Sequence, residues 1–220
     1  MENLSAEEYF YVGIYKDTLE KHIEAIDAYS KAIEIDSNYA EAYNNRGRAK
    51  CSLEDLTGAI ADYTKAIEIK PDHAKAFSNR ADVKMLLADT KGALNDYTKA
   101  IDNDPDFSIT YYNRGLAKDL LEDYLGAIVD YTKAIEINNN FEEAYYNRGV
   151  DKNSLKDYKG AIDDYAKAIE INPNFVGTYF NSGLAKFNIL DTLGACSDWR
   201  KASDLGFEGA NDLIKKYCNF

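Results

Sequence analysis

The sequence contains few of the residues that catalysis and metal binding usually require. Its 220 residues include only two histidines, His22 and His73, and neither has a cysteine or a second histidine at ligand spacing. No glycine-rich phosphate loop, nucleophile elbow or Ser-His-Asp set is present. We therefore expect no metal, no cofactor and no enzymatic activity.

The sequence also lacks long apolar runs and basic clusters. No apolar run reaches 18 residues, so no transmembrane helix is predicted. The net charge of -12 argues against nucleic acid and anionic membrane surfaces as partners, because phosphate contacts need clustered Lys and Arg. The N-terminal residues lack the basic-then-apolar order of a signal peptide.

Cysteine usage is sparse, with residues at Cys51, Cys196 and Cys218. Their odd number and the absence of metal or redox spacing predict free thiols in a reducing compartment. Together with the missing signal peptide, this predicts a cytoplasmic protein.

What the sequence does contain is a repeat of 34 residues. The block Ala-Glu-Ala-Tyr-Asn-Asn-Arg-Gly that begins at Ala40 recurs in varied form every 34 residues, and more faintly upstream. Six units result, at residues 6–39, 40–73, 74–107, 108–141, 142–175 and 176–209. Each unit holds two apolar runs of helical period around a short polar joint, which predicts two helices. One copy cannot bury its apolar face, so we expect the units to stack into a single domain over residues 1–220.

The positions within a unit carry a consensus. Positions 4 and 24 are aromatic in all six units, position 8 is Gly or Ala, and positions 20 and 27 are Ala. Position 32 is proline in three units, at Pro71, Pro105 and Pro173. This pattern resembles the tetratricopeptide repeat over more than nine tenths of the chain. The resemblance implies an all-α, right-handed superhelix, or solenoid, of six helix-turn-helix repeats.

Local features predict where the helices end. Proline at position 32 should end the second helix of a unit, with a softer stop where Ser37 or Asn139 replaces it. Gly at position 8 should lie against Ala at position 20, where the two helices approach closely. After the sixth unit, an apolar stripe predicts a capping helix at about residues 208–218. The run from Trp199 to Ala210 is also similar to a Sel1-type repeat.

Two charged positions change together between units. In units two to five, position 7 is Arg and position 23 is Asp, namely Arg46, Arg80, Arg114, Arg148 and Asp62, Asp96, Asp130, Asp164. Unit one replaces both, with Val12 and Ala28, which predicts an ion pair inside each hairpin; two unrelated surface charges are the alternative. In unit six Ser182 faces Asp198, which then needs another donor or water. Position 11 is Lys in all six units, and the sequence assigns no role to that row.

The family resemblance also implies where a ligand binds. In tetratricopeptide repeats, positions 2, 5, 6, 9, 12 and 13 line a concave groove. Position 6 is Asn in five units: Asn45, Asn79, Asn113, Asn147 and Asn181. The row resembles the asparagine ladder of O-linked N-acetylglucosamine transferase, and an amide can pair with the N–H and C=O of an extended peptide. The alternative is that these amides bond a neighbouring helix and stabilise the stack.

Neighbouring positions predict the preference of the groove. Its C-terminal half is apolar, with Ile109, Tyr112, Leu116, Leu120, Tyr146, Val150, Phe180, Leu184 and Phe187, so an apolar or amphipathic segment should dock there. Relatives that grip acidic chaperone tails use cationic residues on units one and three. Here only Lys75 matches, which disfavours that class of partner.

The sequence therefore predicts a binding module that takes a peptide or helix of another protein. The alternative is a scaffold that uses the same surfaces to associate with itself. Nothing in the sequence names the partner.

Overall fold

The computed structural model describes residues 4–218, and over these residues the chain is entirely helical outside turns. The helices are α1 Ala6–Thr18, α2 His22–Ile35, α3 Ala40–Ser52, α4 Leu56–Ile69, α5 Ala74–Leu86, α6 Thr90–Asn103, α7 Ser108–Asp119, α8 Tyr124–Ile137, α9 Glu142–Ser154, α10 Tyr158–Ile171, α11 Val176–Asn188, α12 Thr192–Asp204 and α13 Ala210–Tyr217. Each predicted unit forms one antiparallel helix pair, and α13 follows the sixth. The predicted all-α fold of helix-turn-helix repeats is confirmed.

The helices group into two compact parts of the chain, which are called unit 1 and unit 2, while each 34-residue element is called a repeat. Unit 1, Met1–Asp106, contains repeats one to three, and unit 2, Phe107–Phe220, contains repeats four to six and α13. Within each unit, the second helix of one repeat packs against the first helix of the next. The prediction of one domain stays a prediction.

Close approach inside each hairpin depends on the small residue at position 8. A Cβ added to Gly47 would lie 2.8 Å from the ring of Tyr63 and 3.2 Å from the carbonyl oxygen of Ala59. Gly47 therefore lies against Ala59 at position 20, as predicted, and the ring at position 24 lies closer still. That ring is fully buried in every repeat.

The joint inside each hairpin uses a paired residue choice. Position 16 is Asp in repeats two to six, and its side chain caps the second helix, as in the 2.9 Å bond from the Gly58 N–H to Asp55. A Cβ at Gly58 would lie against that carboxylate, so a side chain at position 19 would require the capping group to shift. Repeat one has Lys21 and Glu24 instead, and α2 has no side-chain cap.

The second helices of repeats one to five all end at position 30, whether or not proline follows. Helix α4, before Pro71, ends at Ile69, while α2 and α8, which lack the proline, end at Ile35 and Ile137. The next residue is extended in each case, with φ between -126° and -143°. The softer stop expected at Ser37 and Asn139 is therefore wrong, because packing against the next repeat sets the end of the helix.

The C-terminal helix is covalently attached to repeat six. Helix α13 packs on α12, and Cys196 and Cys218 form a disulfide with their Cα atoms 5.7 Å apart. Cys51 is a free thiol. The prediction of three free thiols is therefore wrong for two of them, because the fold-back of α13 that brings them together cannot be read from their spacing. With two of the three cysteines in a disulfide, cysteine usage no longer predicts a reducing compartment.

Breaking this disulfide should destabilise unit 2. The bond closes a loop with a sequence separation of 22 residues, for which loop-closure entropy gives about 3 kcal/mol. We expect Cys218→Ser, or reduction of the wild type, to lower the free energy of unfolding by about 3 kcal/mol. In urea unfolding this appears as a lower midpoint. Cys51→Ser is the matched control and should leave the midpoint unchanged; equal effects of the two substitutions would contradict the assignment.

Candidate functional site

A buried ion triad occupies every hairpin from repeat two to repeat five. In repeat three, Arg80 Nε lies 2.8 Å from Asp96 Oδ2, and Arg80 Nη2 lies 2.8 Å from Asp96 Oδ1. The Asp96 side chain is only 1% exposed. The same bidentate pairs join Arg46 to Asp62, Arg114 to Asp130 and Arg148 to Asp164. The predicted Arg–Asp pair is confirmed.

The lysine row at position 11 completes the triads. Lys84 Nζ lies 2.7 Å from Asp96 Oδ2, and the equivalent lysines of repeats two, four and five bind their own Asp at 2.7–2.8 Å. In repeat six, Ser182 and Lys186 both donate to Asp198 at 2.6 Å, which supplies the donor that the sequence required. In repeat one, Lys16 bonds Glu24 instead. The row therefore has a structural role that sequence reasoning missed.

The same arginines also tie one repeat to the one before it. Arg80 Nη1 donates to Thr64 and Arg46 Nη1 donates to Ser30, both at 3.0 Å, and Arg148 bonds Thr132 in the same way. Each guanidinium also lies 5.3–5.7 Å from the aromatic ring at position 4 of its own helix. The triads are thus part of the fold, and they are not the surface that a ligand meets.

Removing one partner of a triad should be more damaging than removing both. Asp96→Ala leaves two partly buried cations without their anion, and we expect it to cost about 3 kcal/mol of unfolding free energy. The double variant Arg80→Val with Asp96→Ala copies the pair found in repeat one and should recover much of that loss. Urea unfolding of wild type, single and double variants measures this; strictly additive effects would contradict the coupling.

The candidate site is the first-helix face, defined in each repeat as the side chains at positions 2, 5, 6, 9, 12 and 13. In repeats two and three this face is mainly polar. Asn79 Nδ2 donates to Asn44 Oδ1 at 3.0 Å, and Asn44 Nδ2 donates to Asn45 Oδ1 at 3.1 Å. The first of these bonds crosses from α5 to α3, so it links consecutive repeats, whereas the second lies within α3.

In unit 2 the asparagines bond tyrosine hydroxyls across the same junction. Asn147 Nδ2 donates to Tyr112 Oη at 3.0 Å, and Asn181 Nδ2 donates to Tyr146 Oη at 2.9 Å. Asn113 lies half-buried at the same position of α7. The alternative weighed from the sequence, a neighbouring helix as partner, is thus observed for Asn79, Asn147 and Asn181. The bonds use the amide NH₂ groups, and the Oδ1 atoms of Asn147 and Asn181 accept no hydrogen bond from the described residues.

The predicted aromatic anchors are partly occupied by packing inside unit 2. Tyr112 packs on Phe141 with centroids 4.7 Å apart, Tyr146 on Phe175 at 4.9 Å, and Phe180 on Phe207 at 4.7 Å. Burial raises the pKa of Tyr112 and Tyr146, so both hydroxyls stay protonated. Each of these rings nevertheless keeps a solvent-facing edge.

The remaining predicted contacts divide by exposure. The aliphatic residues at position 9 of unit 2, Leu116, Val150 and Leu184, are half-buried. Leu120 is 65% exposed and Ile109 is 37% exposed. In unit 1, Lys75 is exposed beside His73, which caps α5 with its ring nitrogen and is itself buried. His22, at the joint between α1 and α2, bonds Asp17 at 2.8 Å, whereas His73 lies in the connection between repeats two and three.

Sequence reasoning missed one group on this face, a buried carboxyl pair. Asp151 of α9 is 1% exposed and makes hydrogen-bonding contact with Asp119 of α7. Burial, then the neighbouring Asp119 carboxylate, raises the pKa of Asp151 to about 8. The signal was available in the sequence, because Asp151 is the only charged residue at position 10 among the six repeats.

The Asp151 carboxyl should make stability fall as pH rises. Its folded pKa lies above that of an unfolded Asp, about 4, so the stabilising proton is fully held below pH 4 and is lost as pH rises through about 8. Relative to Asp151→Ala, the wild type should therefore lose up to about 1.4 kcal/mol per pH unit in that window. Urea unfolding at pH 5, 6, 7 and 8 tests this, with Asp163→Ala on the exposed face of α10 as the control. Parallel profiles for wild type and Asp151→Ala would contradict it.

Comparison with protein families identifies the repeats. A tetratricopeptide repeat model matches residues 40–73 and 142–175, a TPR repeat model matches 19–50, and a further tetratricopeptide repeat model matches 109–141. Together these matches cover more than half of the chain. The Sel1-type likeness of the C-terminal end stays a prediction. None of the curated proteins matches the chain significantly.

Solved structures share the fold over most of the chain. YrrB, described as a TPR protein with an unusual peptide-binding site, has 24% identity and a TM-score of 0.79, covering 87% of this chain and 99% of that one. A crystal structure of MamA has 26% identity and a TM-score of 0.70, covering 75% of this chain and 96% of its own. The pilF protein of Pseudomonas aeruginosa has 16% identity and a TM-score of 0.82, covering 96% of both.

Two further searches concern membranes and metals. Within residues 4–218, no helix combines the length and apolarity needed to cross a bilayer. In the same residues, no three His, Cys, Asp or Glu side chains are grouped so that they could hold a metal ion.

Proposed function

Because this chain belongs to the tetratricopeptide repeat family, we propose that it is a non-enzymatic interaction module that takes a peptide or helical segment of another protein on its first-helix face. The family fold leaves the edges of successive first helices on one side of each unit. YrrB, which shares this fold, is described as having a peptide-binding site. The observation that carries the proposal here is the set of amide oxygens on the first-helix face of unit 2.

Those amides are held ready for an extended backbone. The bonds to Tyr112 and Tyr146 fix the orientation of Asn147 and Asn181, so little side-chain entropy remains to be lost on binding. Their Oδ1 atoms can then accept N–H groups of a peptide, each bond contributing about 0.5–1.5 kcal/mol. The stacking role of the asparagines therefore supports the binding role.

Apolar surface on the same face supplies the rest of the proposed contact. Leu120 and Ile109 are exposed on α7, and Leu116, Val150 and Leu184 are half-exposed along the neighbouring first helices. An amphipathic segment lying over them would bury aliphatic surface while its backbone meets the amides. The face of unit 1, with Arg48 and Lys75, offers polar contacts to a segment that binds there.

A peptide array followed by paired variants tests this proposal. For peptides that bind, Asn147→Ala and Asn181→Ala should each weaken affinity about 2–10-fold, because each removes one acceptor. Tyr112→Phe is the matched control: it removes only the hydroxyl that orients Asn147, so stability should fall slightly while affinity changes less. Unchanged affinity of both asparagine variants for every peptide would contradict the role of the amides.

Self-association is the second candidate function. Its supporting observation lies on the outer helix α8, where Leu125 is 69% exposed and Val129 is 65% exposed one turn apart. Light scattering of the same samples separates the candidates. An interaction module should keep the monomer mass across a concentration series, whereas a self-associating scaffold should gain mass.

A further inference from the structure

Asp151 places a carboxyl group at position 10 of repeat five, which is a core position in the sibling repeats. Position 10 of a repeat is otherwise a small apolar residue in repeats two, three, four and six: Ala49, Val83, Ala117 and Ala185, each at most 1% exposed. Ala49, Val83 and Ala185 pack against the ring at position 24 of the preceding repeat, as Val83 does on Tyr63. Asp151 is 1% exposed at the same place, so it needs a reason that packing does not provide.

Within residues 4–218, Asp151 has no hydrogen bond or ion pair with a cationic side chain. On α7 its neighbour is Asp119, a second carboxylate. The phenols of Tyr131 on α8 and Tyr165 on α10 lie close enough for the negative charge of Asp151 to raise their pKa. The lysines adjacent in sequence to these two carboxylates, Lys118 and Lys152, bind the hairpin carboxylates Asp130 and Asp164.

Two buried polar atoms in this cluster have no protein partner. Asp151 Oδ2 and the Tyr131 hydroxyl are both shielded from solvent, and neither makes a hydrogen bond within the described residues. Buried polar groups without partners are rare in native proteins and point to a missing ligand, ion or water. Because both carboxylates accept hydrogen bonds and carry negative charge when ionised, the ligand that suits them is a hydrogen-bond donor with positive charge.

Repeat one shows how this chain satisfies a carboxylate at the equivalent place. Asp17 occupies position 12, as Asp119 does, and Arg48 from position 9 of the next repeat donates to it at 2.9 Å. At the junction of repeats four and five, position 9 is Val150, which offers no charge. Arg48 thus shows that a cation over the first-helix face can reach a carboxylate at position 12 of the preceding repeat.

Access to the equivalent location is visible in unit 1. A cavity of about 230 Å³ opens there, lined among others by Arg48, Cys51, Tyr63, Asn79, Asp82 and Val83. The corresponding positions in unit 2 are occupied by Leu116, Asp119, Tyr131, Asn147, Val150 and Asp151. Asp119 is itself only partly buried, so a side chain that arrives along the first-helix face meets Asp119 before Asp151.

We propose that Asp119 and Asp151 form a receptor for one cationic side chain, an arginine or a lysine, of the segment that lies on the first-helix face of unit 2. This inference rests on the proposed function and adds a specificity to it. A pair of carboxylates matches the donor fork of a guanidinium, and the net charge of -12 favours approach of a basic partner. The cation takes the place of the proton that the pair otherwise holds.

A small probe tests the receptor without any knowledge of the partner. N-acetyl-arginine N-methylamide carries one guanidinium on a neutral backbone, and the citrulline analogue has the same shape without the charge. We expect the arginine probe to shift the side-chain carboxyl ¹³C signals of Asp119 and Asp151 saturably, and more tightly as pH rises from 6 to 9, because binding releases a proton. The citrulline probe should produce no saturable shift.

Three variants separate the receptor from general electrostatics. Asp119→Asn and Asp151→Ala should each abolish the saturable response, and Asp151→Ala should remain folded because three sibling repeats have Ala at that position. Asp163→Ala removes a carboxylate of equal charge from the exposed face of α10 and should retain the response. Equal shifts by both probes, retention of binding in Asp151→Ala, or saturation by Ca²⁺ that the arginine probe cannot displace would each overturn the proposal.

Peptides then distinguish this inference from the function on which it rests. Replacing arginine by citrulline in an array peptide that binds the wild type should weaken binding about 10-fold or more, and the ratio should fall towards one in Asp119→Asn. If peptides bind with no preference for arginine, the receptor is overturned while the proposed function stands. If the probe titrates Asp151 but no peptide binds, the proposed function fails and the cation site remains.

Discussion

One buried carboxylate in the second helix organises the hairpins of repeats two to five. The Asp at position 23 accepts a bidentate arginine from position 7 and, on one oxygen, a lysine from position 11. The arginine also reaches back to the hydroxyl at position 25 of the preceding repeat. Each triad therefore fixes the two helices of one repeat, and in repeats two, three and five the arginine also ties the repeat to the one before it.

The repeat length made much of this fold predictable. The helix pairs, the Arg–Asp contacts and the extra donor required by Asp198 all follow from comparing equivalent positions, because the copies vary together where side chains meet. The role of the lysines at position 11 could not be inferred in this way. All six repeats have Lys there, so no paired change points to a partner. The Cys196–Cys218 disulfide and the fold-back of α13 occur once in the chain, so no sibling copy could indicate them.

The first-helix face shows where sequence reasoning was incomplete in another way. The asparagines were identified from their column, but their bonds to Tyr112 and Tyr146 depend on the distance between consecutive first helices, which periodicity does not give. Asp151 was visible as an exception in its column, yet its meaning depends on contact with Asp119 across two repeats. In both cases the residue was readable and its partner was not.

The paired choice of Asp and Gly at the hairpin joints bears on how such repeats change over generations. Any side chain at position 19 displaces the capping carboxylate, and a glycine left without its cap weakens the first turn of the helix. Each single substitution is therefore harmful, although repeat one, with Lys21 and Glu24, shows that the double replacement is tolerated. The two positions are epistatic, so the ancestry of a repeat constrains which joint it can acquire by single steps.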